Sequence, residues 1–271
     1  MSKETITLNS GTSSCKIHLF GATVISWLCK GKERLFLSTD AIMDGSKAIR
    51  GGIPIVFPNF GPWKCGPQHG IARISWWKVV VQPVQLDNGD TQVVLELTDD
   101  EKSRKTWSYS FKLQYTVTLS SSTLTSSLQI TNTSTSSFDF TTLLHTYIRV
   151  DDIKDTTVSG LEGCAYKDKV TSSDGIEQDT EVKISINVDR VYTDTNHHVV
   201  THAGGRIQVE KEGLPDTVLW NPWIEKSQAM SDFNNDGWMN MVCVEPGFVG
   251  KRKMLGVGEE FGCKQTLTVL E

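Results

Sequence analysis

The chain has 271 residues, 38% of them hydrophobic and 22% charged, and its 27 basic and 32 acidic side chains leave a net charge of −5. A chain this long buries a core without a disulfide or metal staple. Its charge balance lacks the basic excess of a nucleic-acid binder, yet a locally positive pocket is compatible with an anionic small substrate. No apolar run approaches the ~18–20 residues of a membrane helix, and the opening MSKETITLNS has no secretory pattern. The expectation is therefore a cytoplasmic protein with no membrane and no nucleic-acid partner, read as one domain over 1–271 and, by default, a monomer.

In chain order, apolar residues alternate with polar ones in short runs, which is the signature of half-buried β-strands. Strands are expected at 17–19 and 24–28. The segment Arg50-Gly51-Gly52-Ile53-Pro54-Ile55-Val56-Phe57-Pro58 follows. Its glycines allow close backbone approach, and its two prolines place it in a loop or at a sheet edge. Arg50 there is either a phosphate fork or a surface arginine beside a tight turn, and local sequence alone favours the second. Gln68-His69-Gly70-Ile71-Ala72-Arg73 gathers an amide, an imidazole and a guanidinium suited to sugar hydroxyls and phosphate oxygens. It reads equally as a polar loop ahead of Trp76-Trp77, a pair assigned to the core.

Further strands are expected at 78–81 and 93–97, then a short helical turn at 99–107. The run 109–119 alternates strictly and pairs with 124–130 across a Ser/Thr-rich turn. The strand 138–150 holds His145 among apolar neighbours, where a histidine is either hydrogen-bonded or functional. Asp189 follows the strand 182–188, sharing a polar face with Ser185 and Asn187 in the ordinary solvent-exposed manner. After strands at 206–209 and 217–220, Glu245 ends the strand 241–245 just before Pro246-Gly247. It either faces water or, if buried, has the raised pKa that a general base needs near neutrality. Lys251-Arg252-Lys253 reads as a solvated basic turn, and a final strand spans 266–270. The six cysteines are scattered without a C-x-x-C pair, which argues for reduced thiols and against a metal site. Many short strands at close spacing give an all-β sandwich or barrel.

Five stretches together, AIRGGIPIVFPNFG at 48–61, QHGIAR at 68–73, LLHTYIRV at 143–150, VDRVY at 188–192 and CVEPGFV at 243–249, resemble the aldose 1-epimerase superfamily. RGGIP followed by QHGIAR is more similar to its glucose-6-phosphate 1-epimerase branch. The resemblance implies a galactose mutarotase-like β-supersandwich of antiparallel sheets with a site on a concave face. It further implies a small sugar phosphate as partner and no cofactor or metal. On it, His145 is the general acid and Glu245 the general base, Arg50, Gln68, Arg73 and Asp189 bind substrate, and His69 is a further contact near the sugar ring. The implied reaction interconverts the α and β anomers of a hexose 6-phosphate by ring opening and closing. A mutarotase of free aldoses and a non-catalytic carbohydrate-binding module are the alternatives, and Arg50 with Arg73 speaks against the first because a neutral sugar needs neither.

Overall fold

The computed structural model describes residues 4–270, and the alternation read in the sequence organises it. Phe111–Leu119 pairs antiparallel with Thr123–Asn132, setting Leu113 opposite Ile130 and Tyr115 opposite Leu128. The odd-numbered side chains from Phe111 to Leu119 are buried, with at most 1% exposure. Burying each contributes roughly 1.5–3 kcal/mol. This pair lies inside a nine-stranded sheet in the spatial order Glu181–Lys183, Thr157–Ser159, His198–His202, Gly205–Glu212, Glu260–Leu270, Thr123–Asn132, Phe111–Leu119, Thr91–Thr98 and Lys78–Gln85.

A second, eight-stranded sheet carries the chemistry. Its order is Ser173–Ile176, Ala165–Asp168, Val188–Tyr192, Asp216–Asn221, Met241–Leu255, Phe138–Leu144 and Ile55–Val56, with Tyr147–Arg149 also paired to Met241–Leu255. A four-stranded sheet formed by Thr5–Ser10, Ser13–His18, Thr23–Cys29 and Lys32–Glu33 completes the fold. The large sheets share a core in which Phe57, Phe111, Phe138 and Phe140 cluster. Phe57 and Phe111 meet at 5.3 Å between ring centres. The architecture is thus the all-β fold that the strand pattern predicts and the antiparallel supersandwich that the resemblance implies. Among the described residues no helix is long and apolar enough to cross a membrane.

Several expectations need correction. The run 182–188 is not one strand. Glu181–Lys183 belongs to the nine-stranded sheet and Val188–Tyr192 to the eight-stranded one, so the chain crosses between sheets at Ile184–Asn187, and Asp189 shares no strand with Ser185 or Asn187. The run 138–150 breaks at His145-Thr146. Glu245 does not end its strand, which continues to Leu255, so Lys251, Arg252 and Lys253 lie on that strand and not in a turn. Of the tryptophan pair, Trp77 is buried as expected but Trp76 is 49% exposed. The helical turn at 99–107 is present as Glu101–Thr106, begun by an Asp100–Ser103 capping box. A second short helix, Trp223–Gln228, has no apolar periodicity that would reveal it.

Two glycines fix the loops that feed the site. Gly52 has φ +67°, and a Cβ there would lie 2.0 Å from the Val24 carbonyl oxygen. That carbonyl accepts a hydrogen bond from Ile53 N–H at 2.9 Å. At Gly70, φ is +75° and a Cβ would lie 2.2 Å from the Phe57 carbonyl oxygen, which accepts from Ile71 N–H at 2.8 Å. Backbone cannot step aside as a side chain does, so Gly52→Ala and Gly70→Ala should each cost at least ~3 kcal/mol in urea unfolding. Gly89→Ala, also at positive φ but with open space around it, should cost only about 1–2 kcal/mol. Equal, small losses for all three would show that the two loops yield.

Candidate active site

Cross-strand register assembles the site. Antiparallel pairing sets Asp189 opposite Trp220, Trp220 opposite Cys243, and Cys243 opposite Tyr147. Directly opposite residues share a sheet face, so these four side chains form one row. Two residues along the same strands, Val218 stands opposite Glu245, placing the carboxyl on that face as well. His145 arrives at the break between Phe138–Leu144 and Tyr147–Arg149. Its N–H donates to the Pro54 carbonyl at 2.9 Å, and its ring stacks on Tyr147 at 4.7 Å with 9° between planes. Trp220 meets it edge-on at 5.9 Å. Held so, His145 Nδ1 lies 3.4 Å from Glu245 Oε1.

Both groups are almost fully buried, at 7% and 1% exposure. They line a cleft of about 300 Å³ together with Arg50, Phe60, Gln68, His69, Lys169, Asp189, Trp220 and Lys226. Of the residues singled out in the sequence, Arg50, Gln68, His69, His145, Asp189 and Glu245 therefore meet at one cleft. Arg73 stands behind the wall, where its Nη2 donates to the Gln68 carbonyl at 2.8 Å. Arg50 is turned onto Asp232, its Nη2 lying 3.3 Å from both carboxylate oxygens, and its Nη1 donates to the Tyr147 hydroxyl at 3.4 Å. His69, at φ +66°, accepts at Nδ1 from Gly61 N–H at 3.3 Å, which leaves the ring proton on Nε2; Gln68 Nε2 lies 3.2 Å from it, so Gln68 accepts that proton only with its amide turned to present the oxygen. Tyr147, Lys169, Trp220, Lys226 and Asp232 were missed. Tyr147 was findable as the same-face neighbour two residues beyond His145. The two lysines come from a hairpin turn and a short helix that carry no local signal.

Burial dominates the proton chemistry. It pushes the Glu245 carboxyl well above the ordinary carboxylate range, and Asp189 adds to this against the opposing pull of Lys169 and Arg73. Burial lowers the His145 imidazole far below its usual value, helped by His69, Arg73 and Arg50. The same causes take His69 down to about 2, with burial first and then Arg73, Lys169 and Arg50. Arg73 falls to about 10 through burial, with Arg50 adding to the effect. Without substrate the pair thus favours a protonated Glu245 beside a neutral His145. This state holds as many protons as a carboxylate beside an imidazolium, so a shift of one proton interconverts them. His145 Nδ1, Glu245 Oε2, Arg50 Nε and Arg73 Nε are all buried without a hydrogen-bond partner. Such a concentration of unsatisfied polar atoms marks a place built for a polar ligand.

His145, Cys243 and Glu245 also offer donor atoms within 4.8 Å of one another. They fit a metal cation poorly on electrostatic grounds, since neighbouring guanidinium groups already act on the imidazole. Arg50 and Arg73 add positive charge beside the site. A roomier groove of about 980 Å³ runs past Lys211 and Phe261. Its Lys211 ammonium is committed to Thr195 Oγ1 and to the carbonyls of Leu214, Pro215 and Asp216 at 2.6–3.1 Å. The groove also holds His197, Asp194 and Glu210, but all three are exposed, so it offers no buried environment that would tune them for proton chemistry.

The folded-state pKa of Glu245 lies above its unfolded value, so the native state keeps a proton that the unfolded chain releases, and stability falls as pH rises through that interval. Glu245→Gln should therefore be more stable than the wild type at pH 8, with the gap closing as pH falls toward ~4. Thermal melts across pH check this, and a gap independent of pH would contradict the burial argument.

Residues 4–268 match the family described as aldose 1-epimerase. A Cenchrus ciliaris protein named "Putative glucose-6-phosphate 1-epimerase" is 38% identical over 270 residues, covering 95% of this chain and 82% of its own. A protein of the same name from Escherichia coli strain K12 is 32% identical over 240 residues, covering 86% and 79%. The crystal structure of "a putative mutarotase (YeaD) from Salmonella typhimurium" superposes with a TM-score of 0.90 at 30% identity, covering 98% of this chain and 90% of that one. With register, cleft and family match in agreement, the chain belongs to the aldose 1-epimerase family, an isomerase family of the epimerase or mutarotase type.

Proposed function

We propose that the chain, acting as one unit over 1–271, interconverts the α and β anomers of glucose 6-phosphate and related hexose 6-phosphates. One observation carries the reading: the His145–Glu245 pair, 3.4 Å apart, sits in a cleft lined by three cations, Arg50, Lys169 and Lys226, against the single carboxylate of Asp189, since burial favours the protonated form of Glu245. In a chain of net charge −5 such local positive charge favours an anionic ligand. The names of the Cenchrus ciliaris and Escherichia coli relatives support the same substrate.

In this reading Glu245 as carboxylate takes the proton from the anomeric hydroxyl, and His145 as imidazolium gives one to the ring oxygen. The bond between the anomeric carbon and the ring oxygen breaks as the carbonyl forms. Rotation about the adjacent carbon–carbon bond presents the other carbonyl face, and reclosure runs both transfers in reverse. Polar contacts from substrate hydroxyls favour the charged form of the pair over the neutral one of the empty cleft. No net proton is gained or lost, which matches a pair that shares one proton. Gln68 and Asp189 contact hydroxyls, His69 lies beside the ring, and Arg50 with Arg73 behind it adds to the field on the phosphate.

The test is the anomerisation of freshly dissolved α-glucose 6-phosphate, followed by NMR exchange, with glucose as a parallel substrate. Acceleration of the phosphate sugar is expected, and His145→Ala or Glu245→Gln should each lower it by about 10²–10⁴ in a folded protein. A preference for glucose would move the activity to free aldoses. Binding without acceleration of either sugar would leave a carbohydrate-binding module.

A further inference from the structure

The cations around the cleft are not equivalent. Arg50 is committed to Asp232 and Tyr147, and Asp232 is also shared with Lys47 at 3.1 Å. Arg73 lies behind the wall on the Gln68 carbonyl. Lys169 and Lys226 differ from both. They reach the cleft from separate elements and converge on one anion, Asp189, at 3.2 and 3.7 Å. Each stands near an aromatic wall of the cleft, Lys169 at 4.8 Å from the centre of Phe60 and Lys226 at 6.0 Å from that of Trp220. An ammonium has three donors, and one carboxylate between two lysines leaves donors and a net positive charge facing the opening.

Both lysines are held in place. Lys169 sits in the turn between Ala165–Asp168 and Ser173–Ile176, and its own N–H donates to the Asp189 carbonyl at 2.8 Å. Asp168 ties down the turn by accepting from Val170 N–H and Thr171 N–H at 2.9 and 3.1 Å. Arg190, the residue after Asp189, donates to Asp168 at 3.0 Å and to Glu177 at 3.2 Å. Lys226 rides the helix Trp223–Gln228. Its first residue, Trp223, has φ +57°, a strained backbone for so bulky a side chain and of the kind found at functional sites. Asn221 Oδ1 accepts from Trp223 N–H at 2.8 Å, and the Trp223 ring packs on Trp238 at 4.4 Å.

We propose that Lys169 and Lys226 form the arm of the cleft that reads the phosphate, and that Asp189 stands in for that anion when the cleft is empty. This rests on the hexose-phosphate reading above and names the side chains that separate a phosphorylated sugar from a neutral one. On binding, each ammonium turns its remaining N–H groups to phosphate oxygens, acting as a point charge, while Asp189 is released to accept a sugar hydroxyl.

Calorimetric titration with glucose 6-phosphate and with glucose tests this on the wild type, Lys169→Met, Lys226→Met, the double variant and Lys169→Arg. The wild type should bind the phosphate sugar more tightly than glucose. Each methionine, keeping the apolar stem, should weaken glucose 6-phosphate by roughly tenfold or more and glucose much less, so the ratio of the two affinities collapses furthest in the double variant. Lys169→Arg should recover part of it. A double variant that melts like the wild type and keeps the wild-type ratio would overturn the arm, as would a wild type that binds both sugars equally. Rates on the same samples separate the two claims: a lysine-dependent phosphate preference without acceleration would uphold the arm and remove the mutarotase reading.

Discussion

The site depends on one register kept across an interruption in a strand. Leu143 pairs with Gly247 and Tyr147 with Cys243 of the same strand, Met241–Leu255, so the unchanged register between them sets His145 against Glu245. Thr146 occupies the break, accepting at its carbonyl from Val244 N–H at 3.2 Å and donating through its hydroxyl to Gln265 at 2.7 Å. Because the register does not shift, His145 keeps the face it shares with Tyr147, on which its ring stacks, and directly opposite residues of paired strands share a face. Cross-strand opposition therefore brings the imidazole to the carboxyl of Glu245, and the irregularity is confined to the backbone, where Thr146 N–H donates to the Leu144 carbonyl at 2.9 Å.

Around this pair the protein keeps neutral groups in the middle and charge at the walls. Burial disfavours the ionised forms of both His145 and Glu245, so their charges appear only when something in the cleft compensates. Arg50 does not suffer the same fate. Burial works against its charge too, but Tyr147 and Asp232 outweigh it and raise its pKa. Asp232, itself 1% exposed, thus keeps a permanent positive charge within the wall. The contrast between a switchable centre and a fixed rim follows from which groups have an opposite charge in contact and which do not.

Much of this was legible in the sequence, for a definite reason. Side-chain alternation has the same period in every strand, so 109–119 announced itself, and the motifs around Arg50, His69, His145 and Glu245 lie within segments short enough to be read locally. What escaped depended on separations the sequence does not display. The break at His145-Thr146 is invisible because Leu143, Leu144, Tyr147 and Ile148 are all apolar and buried, so strand and interruption look alike. Asp189 was assigned to the wrong strand because 182–188 alternates across a crossing between two sheets. Lys169 and Lys226 are 57 residues apart (226 − 169), and it is the pairing of Val188–Tyr192 with Ala165–Asp168 on one side and Asp216–Asn221 on the other that brings their elements to the same carboxylate.

The tight glycines have a consequence for how such a cleft diversifies. Gly52 and Gly70 press their backbones against the carbonyls of Val24 and Phe57, and these carbonyls are also hydrogen-bonded into the core. The loops that deliver Arg50, Gln68 and His69 therefore have almost no freedom to lengthen or drift without disturbing the sheets behind them. By contrast, the turn carrying Lys169 and the helix carrying Lys226 emerge at the rim, with Val170 and Ile224 more than 40% exposed beside them. Insertions there are accommodated by solvent. One side of the cleft thus has room to change shape, while the opposite side is bound to the sheets that carry it.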